Sequence, residues 1–237
     1  MDRYKMNILI IFIFFLSGCD LAEGLQKTKL QPEPVKSQVI VMGIDDTGSY
    51  DLWESAKKIV SRIVAELKPG DILYLRTISD ASFIDQSAIF RLEIPQIKTA
   101  KQDNPFDRRA KRYQKALAKQ IYAIKKQAIE RISQLKPTKA GKTDIQGFLA
   151  VASDKIRLHS KSRISLLIIA SDMKDNVHYS PDLNLSGTRV IVAGFPPMKD
   201  PKKTQDFKKH WKKFFAQIGA TSTEFIRVDE KIHLKNT

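Results

Sequence analysis

Three oxygen-bearing side chains stand at alternate positions directly after an apolar run early in the sequence. In QVIVMGIDDTGS, residues 38–49, the apolar run ends at Ile44 and is followed by Asp45, Thr47 and Ser49. In an extended-to-turning loop, side chains at alternate positions can converge on one point. A carboxylate and two hydroxyls are hard oxygen ligands, which suit Mg²⁺, Mn²⁺ or Ca²⁺. The same residues also fit a strand-to-helix turn with Ser49 as helix N-cap and Asp45 as a local turn acid.

The elements around this loop predict an α/β fold. The pattern of apolar residues predicts strands at 39–44, 71–79, 89–94, 163–170, 188–194 and 224–228, and helices at 51–67, 104–135, 143–158 and 203–218. Strands that alternate with helices favour a doubly wound, mostly parallel sheet covered by helices on both faces. In such a sheet, ligands bind outside the carboxyl ends of the strands, which is where Asp45 lies.

Residues 1–18 have the features of a secretory signal. A basic start precedes the apolar run Ile8–Leu16, which is far shorter than the roughly 20 residues that span a bilayer. The run ends in LSGC and resembles the lipobox of bacterial lipoproteins, which implies cleavage before Cys19 and acylation of that residue. The alternative is an ordinary secretory signal with a coincidental cysteine. Cys19 is the single cysteine of the chain, so no intrachain disulfide can form.

Residues 19–37 are polar, contain Pro32 and Pro34, and are typical of an extended tether. Asp20, directly after the cysteine, resembles an inner-membrane retention signal. We therefore expect a signal peptide at 1–18, a tether at 19–37 and a folded domain at 38–237. The expected location is the bacterial cell envelope, where a lipid would anchor the protein to a membrane. If Asp20 acts as the retention signal, this membrane is the inner membrane and the protein lies on its periplasmic face.

Most of the net charge of +15 lies in one stretch, residues 98–142, which contains 14 Lys and Arg and only three acidic residues. The predicted helix 104–135 has an apolar stripe, and we expect Tyr113, Leu117, Ile121 and Ile124 to pack on the domain. Its other face is basic and is either simply solvated or a surface for anionic lipid, nucleic acid or an acidic partner. Sparse aromatic residues make nucleic acid the weakest of these options. The residues of this basic surface are Arg108, Lys111, Arg112, Lys115 and Lys119.

Three motifs together resemble the metal-ion-dependent adhesion site (MIDAS) of von Willebrand factor A (vWA) domains. Asp45-x-Thr47-x-Ser49 is similar to the first element, usually Asp-x-Ser-x-Ser, although threonine replaces the first serine. Residues 141–145, GKTDI, are similar to the second element, whose threonine is a ligand. LLIIASD, which ends at Asp172, matches the third element, although Met173 follows where glycine is common. The resemblance covers about residues 38–228 and treats 96–140 as a basic insertion.

The resemblance implies a domain that binds one divalent cation and, through it, an acidic residue of a protein partner. The implied ligands are Asp45, Thr47, Ser49, Thr143 and Asp172. Mg²⁺ is the favoured ion, with Mn²⁺ and Ca²⁺ as alternatives, because two carboxylates and three hydroxyls form a hard and weakly charged set. Thr143 and Asp172 also have local alternatives, as a helix N-cap and as an acid that caps the turn after its strand.

The alternative function is that of a Mg²⁺-dependent hydrolase, either a phosphatase or a nuclease, that uses the same carboxylates. The sequence lacks the Asp-x-Asp motif of haloacid-dehalogenase phosphatases, a Walker-type phosphate loop and a Gly-x-Ser-x-Gly elbow. Two acids and three hydroxyls also make a poor two-metal site. A third carboxylate within reach of the cluster would favour the enzyme, and the candidates are Asp46, Asp144 and Asp175. We therefore expect a binding protein and not an enzyme.

Overall fold

The computed structural model describes residues 37–96, 108–159, 161, 163–177, 181–227 and 229–234. The expected signal peptide, Cys19, all of the tether except Ser37 and residues 97–107 of the insertion lie outside the described residues. Within the described part of the chain, no helix is long and apolar enough to cross a membrane.

Six strands form one mixed sheet in the order β3-β2-β1-β4-β5-β6. The strands are β1 (Gln38–Asp45), β2 (Ile72–Ile78), β3 (Ala88–Glu93), β4 (Ile164–Ala170), β5 (Thr188–Ala193) and β6 (Ser222–Ile226). Every neighbouring pair is parallel except β2 and β3, which are antiparallel. The strand order reverses between β1 and β4, and a reversal of this kind leaves a crevice at the carboxyl ends of the two strands.

Helices cover both faces of the sheet. They are α1 (Trp53–Glu66), α2 (Arg108–Ser133), α3 (Ile145–Arg157) and α4 (Pro201–Gln217). Successive side chains of a strand point to opposite faces, so the sheet feeds two cores. One core joins Ile40, Met42 and Ile44 of β1 to α1 and α2, and the other joins Val41 to α3 and α4. The prediction of a doubly wound, mostly parallel α/β sheet is confirmed.

Strand β1 is the central element, and all eight of its residues are buried. Its register pairs Asp45 with Ile78 of β2 and Ile44 with Ala170 of β4. The strand also approaches α3 closely, because a Cβ built on Gly43 would lie 2.7 Å from the Phe148 ring. This register places the residues that follow β4 beside the residues that follow β1.

The described part of the basic helix, Arg108–Ser133, lies within the predicted range but packs differently at its first turns. Leu117 is buried, and Ile121 and Ile124 pack against the core. Tyr113 does not, because 53% of its surface is exposed. The expectation for Tyr113 was therefore wrong. It lies eight residues before Ile121, about 12 Å along the helix, and so lies away from the contacts that Ile121 makes with the core.

Candidate metal centre

Asp45, at the strand reversal, has no exposed surface. Its Oδ1 accepts hydrogen bonds from the Thr47 backbone N–H at 3.1 Å and from Thr47 Oγ1 at 2.6 Å. Its Oδ2 accepts a hydrogen bond from Ser171 Oγ at 2.5 Å. Because Ser171 directly follows β4, the pairing of β1 with β4 brings these two groups together. Asp45 is thus held in a fixed orientation by both strands.

Thr47 Oγ1 is the hub of the hydroxyl groups. It lies 3.1 Å from Ser49 Oγ and accepts a hydrogen bond from Thr143 Oγ1 at 3.2 Å. Oxygens that share an octahedral Mg²⁺ at about 2.1 Å stand about 3 Å apart. Asp45, Ser49 and Thr143 therefore each place one oxygen at about this distance from Thr47 Oγ1. Ser49 is exposed whereas Thr47 and Thr143 are buried, so the cluster opens to solvent on the side of Ser49.

Hydrogen bonds with two neighbouring loops hold Thr143 at this cluster. The segment before it runs alongside the β1 loop, with Ala140 N–H donating to Asp46 O at 2.8 Å and Gly48 N–H donating to Ala140 O at 3.1 Å. The Thr143 N–H donates to Asn176 Oδ1 at 2.6 Å, and the Asn176 N–H donates back to Thr143 O at 3.1 Å. Thr143 is therefore fixed from two sides, by the loop after β1 and by the loop after β4.

Asp172 lies in the same region but faces a different neighbour. Its side chain is 2% exposed, and its Oδ2 lies 2.9 Å from Lys174 Nζ. Its Oδ1 accepts a hydrogen bond from the Lys174 backbone N–H at 3.1 Å. Its negative charge contributes to the raised pKa of Asp45, so the two carboxylates lie within electrostatic reach of each other. All five predicted ligands thus lie at one edge of the sheet, with Asp172 turned towards Lys174.

Burial is the main electrostatic feature of the site. It raises the pKa of Asp45, and the charge of Asp172 adds to the rise, whereas hydrogen bonds from Ser171 and Thr47 lower it. Burial likewise raises the pKa of the Tyr50 hydroxyl, and the charges of Asp45 and Asp172 raise it further. Two carboxylates in a buried setting repel each other, and a bound cation relieves such repulsion. The donor set therefore fits a hard divalent cation.

The local alternatives have different outcomes. Ser49 does not cap a helix, because α1 begins at Trp53 with Leu52 at its N-cap. Thr143 does not cap α3 either, because Asp144 does so through Oδ1, which accepts a hydrogen bond from Gly147 N–H at 2.7 Å. The hydroxyls of Ser49 and Thr143 are thus free of capping roles. Asp172, in contrast, does stabilise its own turn through Lys174 N–H.

The three candidate acids for a hydrolase have other partners. Asp46 accepts hydrogen bonds from the backbone N–H and the hydroxyl of Thr138, at 2.6 and 2.7 Å. Asp144 caps α3 and also accepts from Ser82 N–H at 3.1 Å. Asp175 accepts from Ile145 N–H at 3.4 Å. Within the ranges that the structure describes, no three His, Cys, Asp or Glu side chains form a group that could hold a metal ion.

Two residues of the site escaped prediction from the sequence. Ser171 orients Asp45, and Asn176 holds Thr143 by its side chain and backbone. Ser171 stands beside Asp172 in the third motif, so its position at the end of a buried strand was a usable signal. Asn176 had none, because its contact with Thr143 spans 33 residues of sequence.

Comparison with known proteins shows that this chain is similar to solved structures in fold but has little similarity to them in sequence. No protein-family model matches the chain, and no curated protein sequence does. A von Willebrand factor type A structure from Catenulispora acidiphila is 17% identical over 81% of this chain and 38% of its own, with a TM-score of 0.49. The chain resembles vWA domains. Proximal thread matrix protein 1 from the mussel byssus, solved with a zinc-occupied MIDAS motif, is 16% identical over 83% of this chain and 45% of its own, with a TM-score of 0.48.

A bacterial neighbour of similar length is an aerotolerance-related membrane protein from Bacteroides fragilis, solved with multiple mutations to serine. It is 11% identical over 82% of this chain and 92% of its own, with a TM-score of 0.47. The chain spans less than half the length of the mussel and Catenulispora structures. At these identities the likeness concerns the fold alone.

Proposed function

We propose that this chain is a lipid-anchored binding protein of the bacterial cell envelope. Its vWA-like domain holds one divalent cation, Mg²⁺ in the first instance, and uses it to bind a carboxylate of a protein partner. The observation that carries this proposal is the convergence of Asp45 Oδ1, Ser49 Oγ and Thr143 Oγ1 on Thr47 Oγ1, at distances of 2.6 to 3.2 Å. Asp172 is the fifth ligand in this proposal.

The charge of the set favours binding over turnover. Two carboxylates balance a divalent cation without excess, and three neutral hydroxyls complete the protein's share of ligands. Mg²⁺, when bound, supplies positive charge that a partner's carboxylate can reach at the exposed Ser49 side. The buried Asp45 and Thr47 hold their oxygens in place, so little reorganisation accompanies ligation. Asp46, Asp144 and Asp175 serve the surrounding loops and α3.

The lipid anchor is proposed from the sequence around Cys19. Acylation of Cys19 with two or more chains would hold the protein stably at a membrane, since one chain alone is marginal. The tether of residues 19–37 would then set the distance between the membrane and the domain. Placement on the periplasmic face of the inner membrane follows if Asp20 acts as a retention signal.

A second contact with the membrane is proposed for the basic surface of α2. Arg112, Lys115 and Lys119 recur at spacings of three and four, so they form one stripe along the helix, and all three are exposed. Tyr122 continues the stripe and is 71% exposed. Tyrosine and lysine together suit the headgroup region of an anionic bilayer, where the ring and the alkyl stems are covered and the polar tips stay wet. This pairing favours lipid over an acidic protein as the partner of the surface.

The test of the binding function is a pull-down from detergent-solubilised membranes, with full-length protein as bait. We expect partners to be retained in Mg²⁺, released by a chelator and recaptured when Mg²⁺ returns. Asp45→Asn should fold, since the amide keeps the shape of the buried side chain, and should capture nothing in a Mg²⁺-dependent way. Capture that is equal for both proteins and insensitive to chelator would contradict the proposed function.

A further inference from the structure

We propose that Lys174 is a built-in competitor for the metal, whose ammonium holds Asp172 until a divalent cation displaces it. This inference rests on the proposed function, because it concerns the same site. Lys174 Nζ lies 2.9 Å from Asp172 Oδ2, and Lys174 N–H lies 3.1 Å from Asp172 Oδ1. One residue therefore engages both oxygens of a predicted ligand.

The two partners of this ion pair differ greatly in exposure. The Asp172 side chain is 2% exposed, whereas the Lys174 side chain is 61% exposed. The carboxylate is thus fixed in the site, and the ammonium reaches it from the solvent side. An exposed lysine can withdraw into water at small cost, because its charge remains solvated there. The ammonium is therefore the mobile half of the pair.

The backbone of the turn keeps Lys174 at this position. Met173 has a φ of +60°, which is a left-handed backbone conformation that residues other than glycine rarely adopt. Its N–H donates to Ser171 Oγ at 2.8 Å, and that hydroxyl donates to Asp45 Oδ2. The turn is thus tied to the first carboxylate while it presents Lys174 to the second. The position of Lys174 follows from the same contacts that orient Asp45.

The two site carboxylates have different kinds of partner. Asp45 is held by hydroxyls and a backbone N–H, whereas Asp172 has a full positive charge in contact. A divalent cation that binds Asp172 must replace or repel that charge. The ammonium therefore weakens metal binding, so that half-occupancy of the site requires a higher concentration of the ion. The same ammonium stabilises Asp172 before the metal arrives.

The experiment is calorimetric titration of detergent-solubilised full-length protein with MgCl₂, repeated with MnCl₂. Lys174→Gln removes the charge and should tighten Kd by about tenfold, given the repulsion between a unit charge and a divalent ion a few ångströms away. Lys174→Arg keeps a cation and should stay within about twofold of the wild type. Lys142→Gln is the matched control, since Lys142 is an exposed lysine beside Thr143, and it should change Kd less than Lys174→Gln does.

The possible results separate this inference from the proposed function. A wild-type protein that binds Mg²⁺ with the same Kd as Lys174→Gln would overturn the role of Lys174 and leave the metal site standing. Equal tightening by Lys174→Gln and Lys142→Gln would reduce the effect to general charge and would also overturn it. Failure of every variant to bind either ion at millimolar concentration, with native thermal melts, would overturn the proposed function and this inference with it.

Discussion

At the scale of single residues, the hydroxyl of Thr47 is the group on which the cluster depends. It contacts Asp45, Ser49 and Thr143 at once, and its side chain is buried. The departure from the usual serine adds a methyl group but leaves the hydroxyl in place. The threonine therefore keeps the chemistry of a ligand, and the extra methyl is accommodated in a buried position.

Replacement of Thr47 tests that role with two closely matched variants. Thr47→Val keeps the shape and removes the oxygen, so we expect at least tenfold weaker Mg²⁺ binding and a loss of about 1–2 kcal/mol in the free energy of unfolding. Thr47→Ser keeps the oxygen and should bind within about threefold of the wild type. Titration calorimetry and urea unfolding give the two quantities. Equal Mg²⁺ affinity in the valine and serine variants would remove Thr47 from the ligand set.

Residue-scale prediction from the sequence succeeded where a local pattern carried the information. Asp45, Thr47 and Ser49 lie within five residues of one another, so their convergence could be expected from spacing alone. Thr143 and Asp172 could be located through the resemblance to a known site, and the structure places both at the same edge of the sheet. The contact of Lys174 with Asp172 depends on the left-handed backbone of Met173, at a position where glycine is common in the resembled motif. The sequence therefore contained a signal for the backbone conformation but none for the contact itself.

At the scale of elements, the close approach of β1 and α3 is a condition for the geometry of the site. A Cβ at Gly43 would lie 2.7 Å from the Phe148 ring and 2.8 Å from Ile78, and Phe148 is fully buried. Any larger residue must therefore displace the Phe148 ring or the end of the Ile78 side chain. Thr143 lies two residues before the start of α3, so a displacement that moved α3 would also disturb the cluster.

The glycines of the first motif offer a matched pair of variants. Gly43→Ala should lower the free energy of unfolding by about 1–3 kcal/mol through overpacking. Gly48→Ala, where a Cβ would meet nothing within 4 Å, should change it by less than about 0.5 kcal/mol. Urea denaturation of both variants measures the difference. An alanine at position 43 that is as stable as one at position 48 would show that the contact between β1 and α3 is looser than described.

The basic surface of α2 can be compared with a second basic helix, α4, on the other face of the sheet. Replacing Lys111, Arg112, Lys115 and Lys119 with glutamine should weaken binding to vesicles with 30% anionic lipid by at least about tenfold at 0.1 M salt, at about 1 kcal/mol per charge near the surface. The control replaces four exposed lysines of α4 with glutamine and should bind nearly as well as the wild type. The control residues are Lys202, Lys203, Lys209 and Lys212.

Binding is measured by vesicle co-sedimentation, and all proteins carry Cys19→Ala so that the lipid anchor does not contribute to it. Equal losses in the α2 and α4 variants would indicate general electrostatic attraction without a dedicated surface. No loss of vesicle binding in either variant would indicate that the basic face of α2 is simply solvated. The sequence predicted the helix and its charge because periodicity is local, but it misplaced Tyr113, whose environment depends on where the core ends.

At the scale of the whole molecule, the proposal joins a lipid anchor, a tether and a metal-dependent binding domain. The fold class followed from the alternation of strands and helices, and the order of the strands explains why residues from three distant segments meet. Strand limits were less predictable. The last strand begins at Ser222, two residues before the predicted start, because its limits follow pairing with β5 and not its own apolar run.

Membrane attachment is tested by fractionation of cells that carry Cys19→Ala. We expect the variant to leave the membrane fraction in high salt, because salt screens the basic surface that would otherwise retain it. The wild type should stay with the membranes under the same wash and should dissolve only in detergent. A variant that resists high salt as the wild type does would contradict lipid anchoring at this residue.

The central claim is that one divalent cation binds at the reversal of strand order, and Mn²⁺ binding followed by electron paramagnetic resonance tests it most directly. We predict one Mn²⁺ per chain for the wild type, displaced by excess Mg²⁺. Asp45→Asn, which replaces a buried carboxylate with an amide of similar shape, should lose this binding. Asp51→Asn, which removes an exposed charge nearby, should retain it. Stoichiometric binding that survives in Asp45→Asn, or a wild type that binds no Mn²⁺, would contradict the account.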